Sequence, residues 1–319
     1  MNNDHSQPAS AGFAISTAKF ADPGPDADSR AEEARPTSEA PQRSRPGADL
    51  RLHIGCDATF ETAAPTPMFF LVLPREGTHE PVEERLEFIP ATPYERRIDS
   101  FGNQLLVLTA PTGSLRIRYD ALVDISRAKD ELRPELQTTP ITQLPGDVLG
   151  YLWPSRYCQS DLLIDRAWSL FGHVPDGWAR VQAVCDWIHE HIQYGKGSTS
   201  ATGSQEVLEQ GRGVCRDFAL LGVTFCRALN IPARYVCGYL PDIEVEPPDV
   251  AMDFHAWFEA YLDGEWRTFD ARHNVPRIGR VLIAVGRDAA DCAWSTSFGN
   301  ARLTAFSVVA DEVPAGESS

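Results

Sequence analysis

Between residues 49 and 126 apolar and polar positions alternate. Leu50, Leu52, Ile54 and Cys56 keep a two-residue period in one segment, and Leu115, Ile117, Tyr119, Ala121, Val123 and Ile125 keep it in another. Successive side chains of a strand point to opposite faces, so both segments read as half-buried strands. Shorter apolar runs at 68–73, 84–89 and 104–109 lie between them, the last after the turn Ser100-Phe101-Gly102-Asn103, and no window shows a helical period. The pattern predicts an antiparallel β-sandwich over 49–126.

Residues 127–149, with Pro134, Pro140 and Pro145, read as a connector, and the period changes after them. Ser160 and Asp161 at one end and Gly172 at the other bracket a capped helix. Trp178, Val181, Cys185, Ile188 and Ile192 mark one buried stripe of a second helix. A third, over 214–229, stops before Ile231-Pro232; Ala219, Gly222 and Cys226 give it a face of small residues, with Phe218, Leu221, Phe225 and Leu229 beside it. That is the pattern of a central, buried helix. Strands follow at 233–240, 253–262, 265–271, 279–285 and 302–309, so 150–319 reads as one α+β unit, helices first and an antiparallel sheet after.

Composition narrows the class. The chain has 319 residues, enough for two folded units, and residues 1–48, holding six of its 24 prolines and no regular period, read as a disordered tail. With 43% apolar residues and no run near the ~20 needed to cross a bilayer, a membrane-spanning chain is not expected. A net charge of −16 with no basic patch excludes nucleic acid as a partner. Seven cysteines form no C-x-x-C pair, and the N-terminus has no basic start followed by an apolar stretch, which reads as a protein of the reducing cytoplasm.

Candidate chemistry comes from three residues. Asp263-Gly264 is a strong two-residue hairpin signal; it sets Leu262 opposite Glu265, and therefore Trp257 opposite Asp270 and His255 opposite Arg272. His255 and Asp270 then share a face as diagonal neighbours, about 7–8 Å apart at the backbone and within reach of a carboxylate–imidazole hydrogen bond. Upstream, Gly211-Arg212-Gly213-Val214-Cys215 places one thiol at the start of the central helix. There the helix dipole and a neighbouring imidazolium are expected to lower its pKa from the usual ~8.5. The other six cysteines lie where packing alone accounts for them.

The blocks Gly213-Val214-Cys215-Arg216-Asp217-Phe218-Ala219, Arg227 to Val236 with Gly238-Tyr239, His255-Ala256-Trp257 and the Asp270 strand together resemble the transglutaminase-like superfamily of papain-related enzymes over residues 150–300. Within it the chain looks like bacterial transglutaminase-like proteins described as cysteine proteases, in which a β-rich N-terminal domain precedes the core; Pro154-Ser155-Arg156-Tyr157 and Gly286 to Asp291 share that likeness.

The resemblance implies a Cys215, His255, Asp270 triad that forms a thioester from an amide, with the Cys215 N–H as one oxyanion donor. Tyr194, after the second helix, is a candidate for a second donor, with packing as the competing reading. Peptidase or amidase activity on a peptide or protein amide is the leading expectation. A protein-glutamine acyltransferase and a non-catalytic binding module are the alternatives. Trp257, Glu244, Glu246 and Asp249 are candidate rim residues that would meet a basic or amine partner, and the β-domain is a candidate surface for a protein partner. No cofactor or metal is expected: His189 and His191, two apart on a helix, point in different directions, and His273 is expected on the far face of its strand, in solvent.

Overall fold

The computed structural model describes residues 49–195, 197–247 and 251–314, together with the backbone of Phe13–Ala14. The tail expected to be disordered therefore lies outside the described residues, apart from those two, which run parallel to Thr296–Ser297 as β1.

The N-terminal strands form two antiparallel sheets. β2 (Leu50–Thr62) and β7 (Gly113–Ile125) pair over their full length, and β2 buries alternate residues as the pattern requires. β4 (Pro81–Ile89) extends that sheet beyond β7. The second sheet contains β3 (Thr66–Phe70), β5 (Tyr94–Ile98) and β6 (Gln104–Ala110).

One domain boundary is corrected. β14 (Ser295–Ser297) pairs with β3, and β15 (Ala301–Glu312) pairs with β2 from Ala301↔Thr62 to Glu312↔Leu52. The chain end thus returns to the N-terminal sheets, and 150–319 is not a separate unit. A strand as long as β2 exposes a row of unpaired backbone groups at its open edge, and β15 covers it. Alternation identifies a strand but not its partner.

The remainder is α+β. α4 (Cys215–Ala228) is the central helix, buried at every position from Asp217 to Ala228. α1 (Ile164–Phe171), α2 (Trp178–His191) and α3 (Ser204–Gln210) surround it. α4 packs on a sheet ordered β12 (Glu265–Phe269), β11 (His255–Leu262), β10 (Ala233–Tyr239), β13 (Val281–Gly286). All eight residues of β11 are buried, because it is an inner strand beneath α4. The first helix starts later than its Ser160 signal suggests: Ser160–Leu162 is a 3-10 turn and α1 begins at Ile164 without a side-chain cap.

The N-terminal segment braces the sheet beneath α4. Buried Asn103 holds both backbone groups of Val285 on β13, each at 2.9 Å, and the Tyr239 hydroxyl donates to the Val72 carbonyl at 2.8 Å. Pairing both polar groups of a buried edge residue removes a desolvation cost of about 1–3 kcal/mol per group.

Candidate active site

Cys215 is placed by a tight approach. Gly211 caps α3 in the left-handed conformation (φ 63°), and the chain turns through Arg212–Gly213 (β9), which pairs in parallel with Gln193–Tyr194 (β8). At Gly213 a Cβ would lie 2.6 Å from the Asp217 Cβ, so only glycine fits. The fully buried Asp217 carboxylate accepts the Val214 N–H (2.8 Å) and the Ser198 hydroxyl (2.5 Å) and pairs with Arg216 (2.9 Å). Arg216 also donates to the Thr199 carbonyl at 2.8 Å. The carboxylate therefore caps the helix and anchors the neighbouring loop.

Of the seven cysteines six are buried and Cys215 is half-buried. Its thiol contacts the Phe254 carbonyl, the residue before His255, at 3.9 Å. The expected lowering of its pKa is opposed by its surroundings. Burial pushes the thiol up to about 12, the Asp253, Asp217 and Asp270 charges add to that, and the Ala256 N–H opposes it. Since the neutral form is then favoured at all ordinary pH, the rate of Cys215 alkylation is expected to climb with pH across 7–10. Peptide-resolved labelling with iodoacetamide measures this; a plateau already reached by pH 7 would show a preformed thiolate.

His255 Nε2 and Asp270 Oδ2 are 2.8 Å apart, with side chains 11% and 3% exposed. The hairpin register holds from Leu262↔Glu265 to Phe258↔Phe269 and stops there. Asp270 leaves the ladder one residue later and still meets the imidazole. Its other oxygen accepts the N–H groups of Arg272 (3.0 Å) and His273 (3.2 Å). Burial alone would raise the Asp270 pKa, but the charges of His255 and Arg280 and the hydrogen bond from His255 hold it well below the usual carboxylate range.

Two supporting groups escaped the sequence reading. Arg280 donates Nη2 to Asp270 Oδ2 at 2.9 Å and Nε to both oxygens of Asp130, and its guanidinium lies 4.9 Å from the centre of the Trp257 ring. Asp130 belongs to the connector, so that segment takes part in fixing the His–Asp pair. No spacing signal links residues 130, 270 and 280, because the contact is tertiary.

Several candidates are placed differently from expectation. His273 is not in solvent: the turn after Phe269 brings its ring 4.8 Å from that of His255, and its Nδ1 lies 3.0 Å from Arg277 Nη1. Burial lowers the His273 pKa to about 3; the charges of His255, Arg277 and Arg272 act in the same direction and Asp270 opposes them. The ligand atoms of His255, Asp270 and His273 lie within 4.8 Å of one another, a spacing that fits a metal ion, but Arg280 and Arg277 already engage the Asp270 and His273 atoms. His189 and His191 bond to the carbonyls of Ala271 and Trp187.

Trp257 is not a rim residue. It is 2% exposed, lies beside His255 with 6.2 Å between ring centres, and packs with Val236 and Val285. Glu244 forms an ion pair with Lys129 of the connector at 3.0 Å, and Glu246 is exposed. Asp249 lies outside the described residues. Tyr194 is 46% exposed, beside Phe218 of α4, and Arg272 stacks on its face at 3.7 Å.

Helices packed on an antiparallel sheet, with a thiol opening the central helix and a buried His–Asp pair at the end of an inner strand, define the papain-related α+β class. The core of the transglutaminase-like superfamily matches residues 169–271. A structure from Cytophaga hutchinsonii, described as a putative cysteine protease, is similar at 38% identity and a TM-score of 0.76, covering 84% of this chain and 92% of that one. An uncharacterized Mycobacterium leprae protein is 30% identical over 231 residues, 69% of this chain and 81% of the relative. One from Mycobacterium tuberculosis H37Rv is 32% identical over 237 residues, 66% and 74% of the two chains. The chain belongs to the transglutaminase-like superfamily.

Proposed function

We propose that the protein is a cysteine hydrolase that cleaves amide bonds through a thioester at Cys215, acting as a peptidase or amidase. The observation that carries this reading is the buried 2.8 Å His255–Asp270 pair directly following the carbonyl that the Cys215 thiol contacts. An ionised Asp270 accepts from His255 Nε2–H, which leaves the Nδ1 lone pair to take a proton. The thiol transfers its proton to Nδ1 as sulphur attacks the carbonyl carbon. His255 then gives that proton to the leaving amine as the C–N bond breaks. Water, deprotonated by the same ring, releases the acid from the thioester. A neutral resting thiol fits this sequence, since the proton moves during attack. The Cys215 N–H, free of an intrahelical partner at the first position of α4, serves as an oxyanion donor, and the Tyr194 hydroxyl is the candidate for the second.

Hydrolysis is preferred to acyl transfer because transfer needs a bound amine to outcompete water. The acidic loop offered as an amine attractor has Glu244 neutralised by Lys129. The C. hutchinsonii likeness supports the same reading.

Intact-protein mass spectrometry with an amide-mimicking, cysteine-reactive peptide tests the reading: one adduct is expected in the wild type and none in Cys215→Ala. An adduct in both, or in neither, would favour the non-catalytic module. With a peptide amide and a primary amine present together, the free acid is expected to dominate; a dominant amine adduct would indicate the acyltransferase.

A further inference from the structure

Four arginines pack around the thiol and the His–Asp pair, and three have carboxylate partners. Arg216 pairs with Asp217, Arg277 with Asp242, and Arg280 with Asp130 and Asp270. Arg272 has none among the described residues. The residue is half-buried, and its guanidinium lies over the Tyr194 ring, 3.7 Å from its centre. Both ends of this stack are fixed by the site itself. The Arg272 N–H donates to Asp270 Oδ1 at 3.0 Å, and the Gly195 N–H after Tyr194 donates to the Gly213 carbonyl at 2.9 Å, two residues before Cys215.

We infer that Arg272, stacked on Tyr194, is a carboxylate-binding subsite at the mouth of the active site, selecting amide substrates that carry a negative charge close to the scissile bond. This deepens the hydrolase reading and rests on it. A guanidinium held by an aromatic face keeps its edge N–H donors in a planar fork that matches a carboxylate, and little rotamer entropy remains to be lost on binding. Among the described residues on the thiol side, the Asp253 carboxylate accepts the adjacent Phe254 N–H at 2.7 Å, and Asp217 is buried under its own partners. The subsite also runs against the net charge of −16, so its attraction is local rather than a property of the whole surface.

The test compares alkylation of Cys215 by iodoacetate and iodoacetamide at pH 8, read by peptide mass. Both form an Sγ–CH2 bond and expel iodide, and they differ only in carrying a carboxylate or an amide. The iodoacetate-to-iodoacetamide rate ratio is expected to fall about fivefold in Arg272→Gln, with Arg272→Lys intermediate, the size of one partly screened charge contact. An unchanged ratio while Cys215 still reacts overturns the subsite and leaves the hydrolase reading standing. Failure of Cys215 to react faster than the buried cysteines with either reagent overturns both. Protection of the wild type against iodoacetamide by N-acetylglutamine, which has only a terminal carboxylate, or by N-acetylglutamate amide, which has only a side-chain carboxylate, identifies the source of the charge. Equal protection in Arg272→Gln counts against the subsite.

Discussion

Asp270→Asn is expected to slow acylation of Cys215 by a chromogenic peptide anilide about 10³- to 10⁴-fold, and also to destabilise the fold. Asp270 accepts on both oxygens: His255 and Arg280 on one, the Arg272 and His273 N–H groups on the other. An amide has one acceptor. If its oxygen faces the backbone pair, its NH2 faces His255 and Arg280, which presents a donor to a buried guanidinium and leaves the imidazole in the wrong tautomer. If it is flipped, two backbone N–H groups lose their acceptor. Arg280 keeps Asp130, which limits the cost to about 3 kcal/mol, the lower end for breaking a buried pair. The pH dependence separates this effect from a loss of activity alone. Because the folded-state pKa of Asp270 is depressed, its stabilisation is present above the unfolded value near ~3.9 and is lost as pH falls through the lower folded value. The stability gap between wild type and variant should therefore be largest at neutral pH and narrow in acid, as measured by urea unfolding. A gap independent of pH, or turnover within tenfold of wild type, would remove Asp270 from the proposed mechanism.

The residues that were legible in the sequence are those whose partners lie along the same hairpin or helix. Asp263-Gly264 fixed the register down to Phe258↔Phe269, and this was enough to bring His255 to Asp270 although the ladder ends before either is paired. Glycine spacing and helical period placed Cys215 at the start of a buried helix. Contacts between separate segments were not legible. Arg280, from just before β13, meets Asp270 and is itself held by Asp130 of the connector, and β15 crosses back to β2. His273 departs from the alternation because the strand ends at Phe269, where the chain is already turning. A helix terminus can be read from sequence, but the burial that pushes the Cys215 thiol up cannot.

Gly222→Ala is expected to destabilise the protein by about 2 kcal/mol and to lower acylation of Cys215 although residue 222 lies two turns along α4 from the thiol. A Cβ there would sit 2.4 Å from Phe258 Cε1 and 2.6 Å from Cδ1. The ring cannot move aside. It is fully buried and stacks on Phe269 at 5.8 Å, and Phe269 packs on Trp178 at 4.5 Å. The helix must therefore lift from β11, and the overlap outweighs the roughly 1 kcal/mol that alanine gains over glycine in a helix interior. α4 carries Cys215 and β11 carries His255, so the same displacement separates nucleophile from base, and small misplacements of reacting groups cost large factors in rate. Phe258→Leu removes ring atoms from the point of overlap. In the double variant, urea unfolding is expected to show a loss smaller than the sum of the two single losses by about 1 kcal/mol, with acylation partly restored. Strict additivity, with no recovery of rate, would show that the Gly222–Phe258 contact does not set the spacing between the helix and the strand.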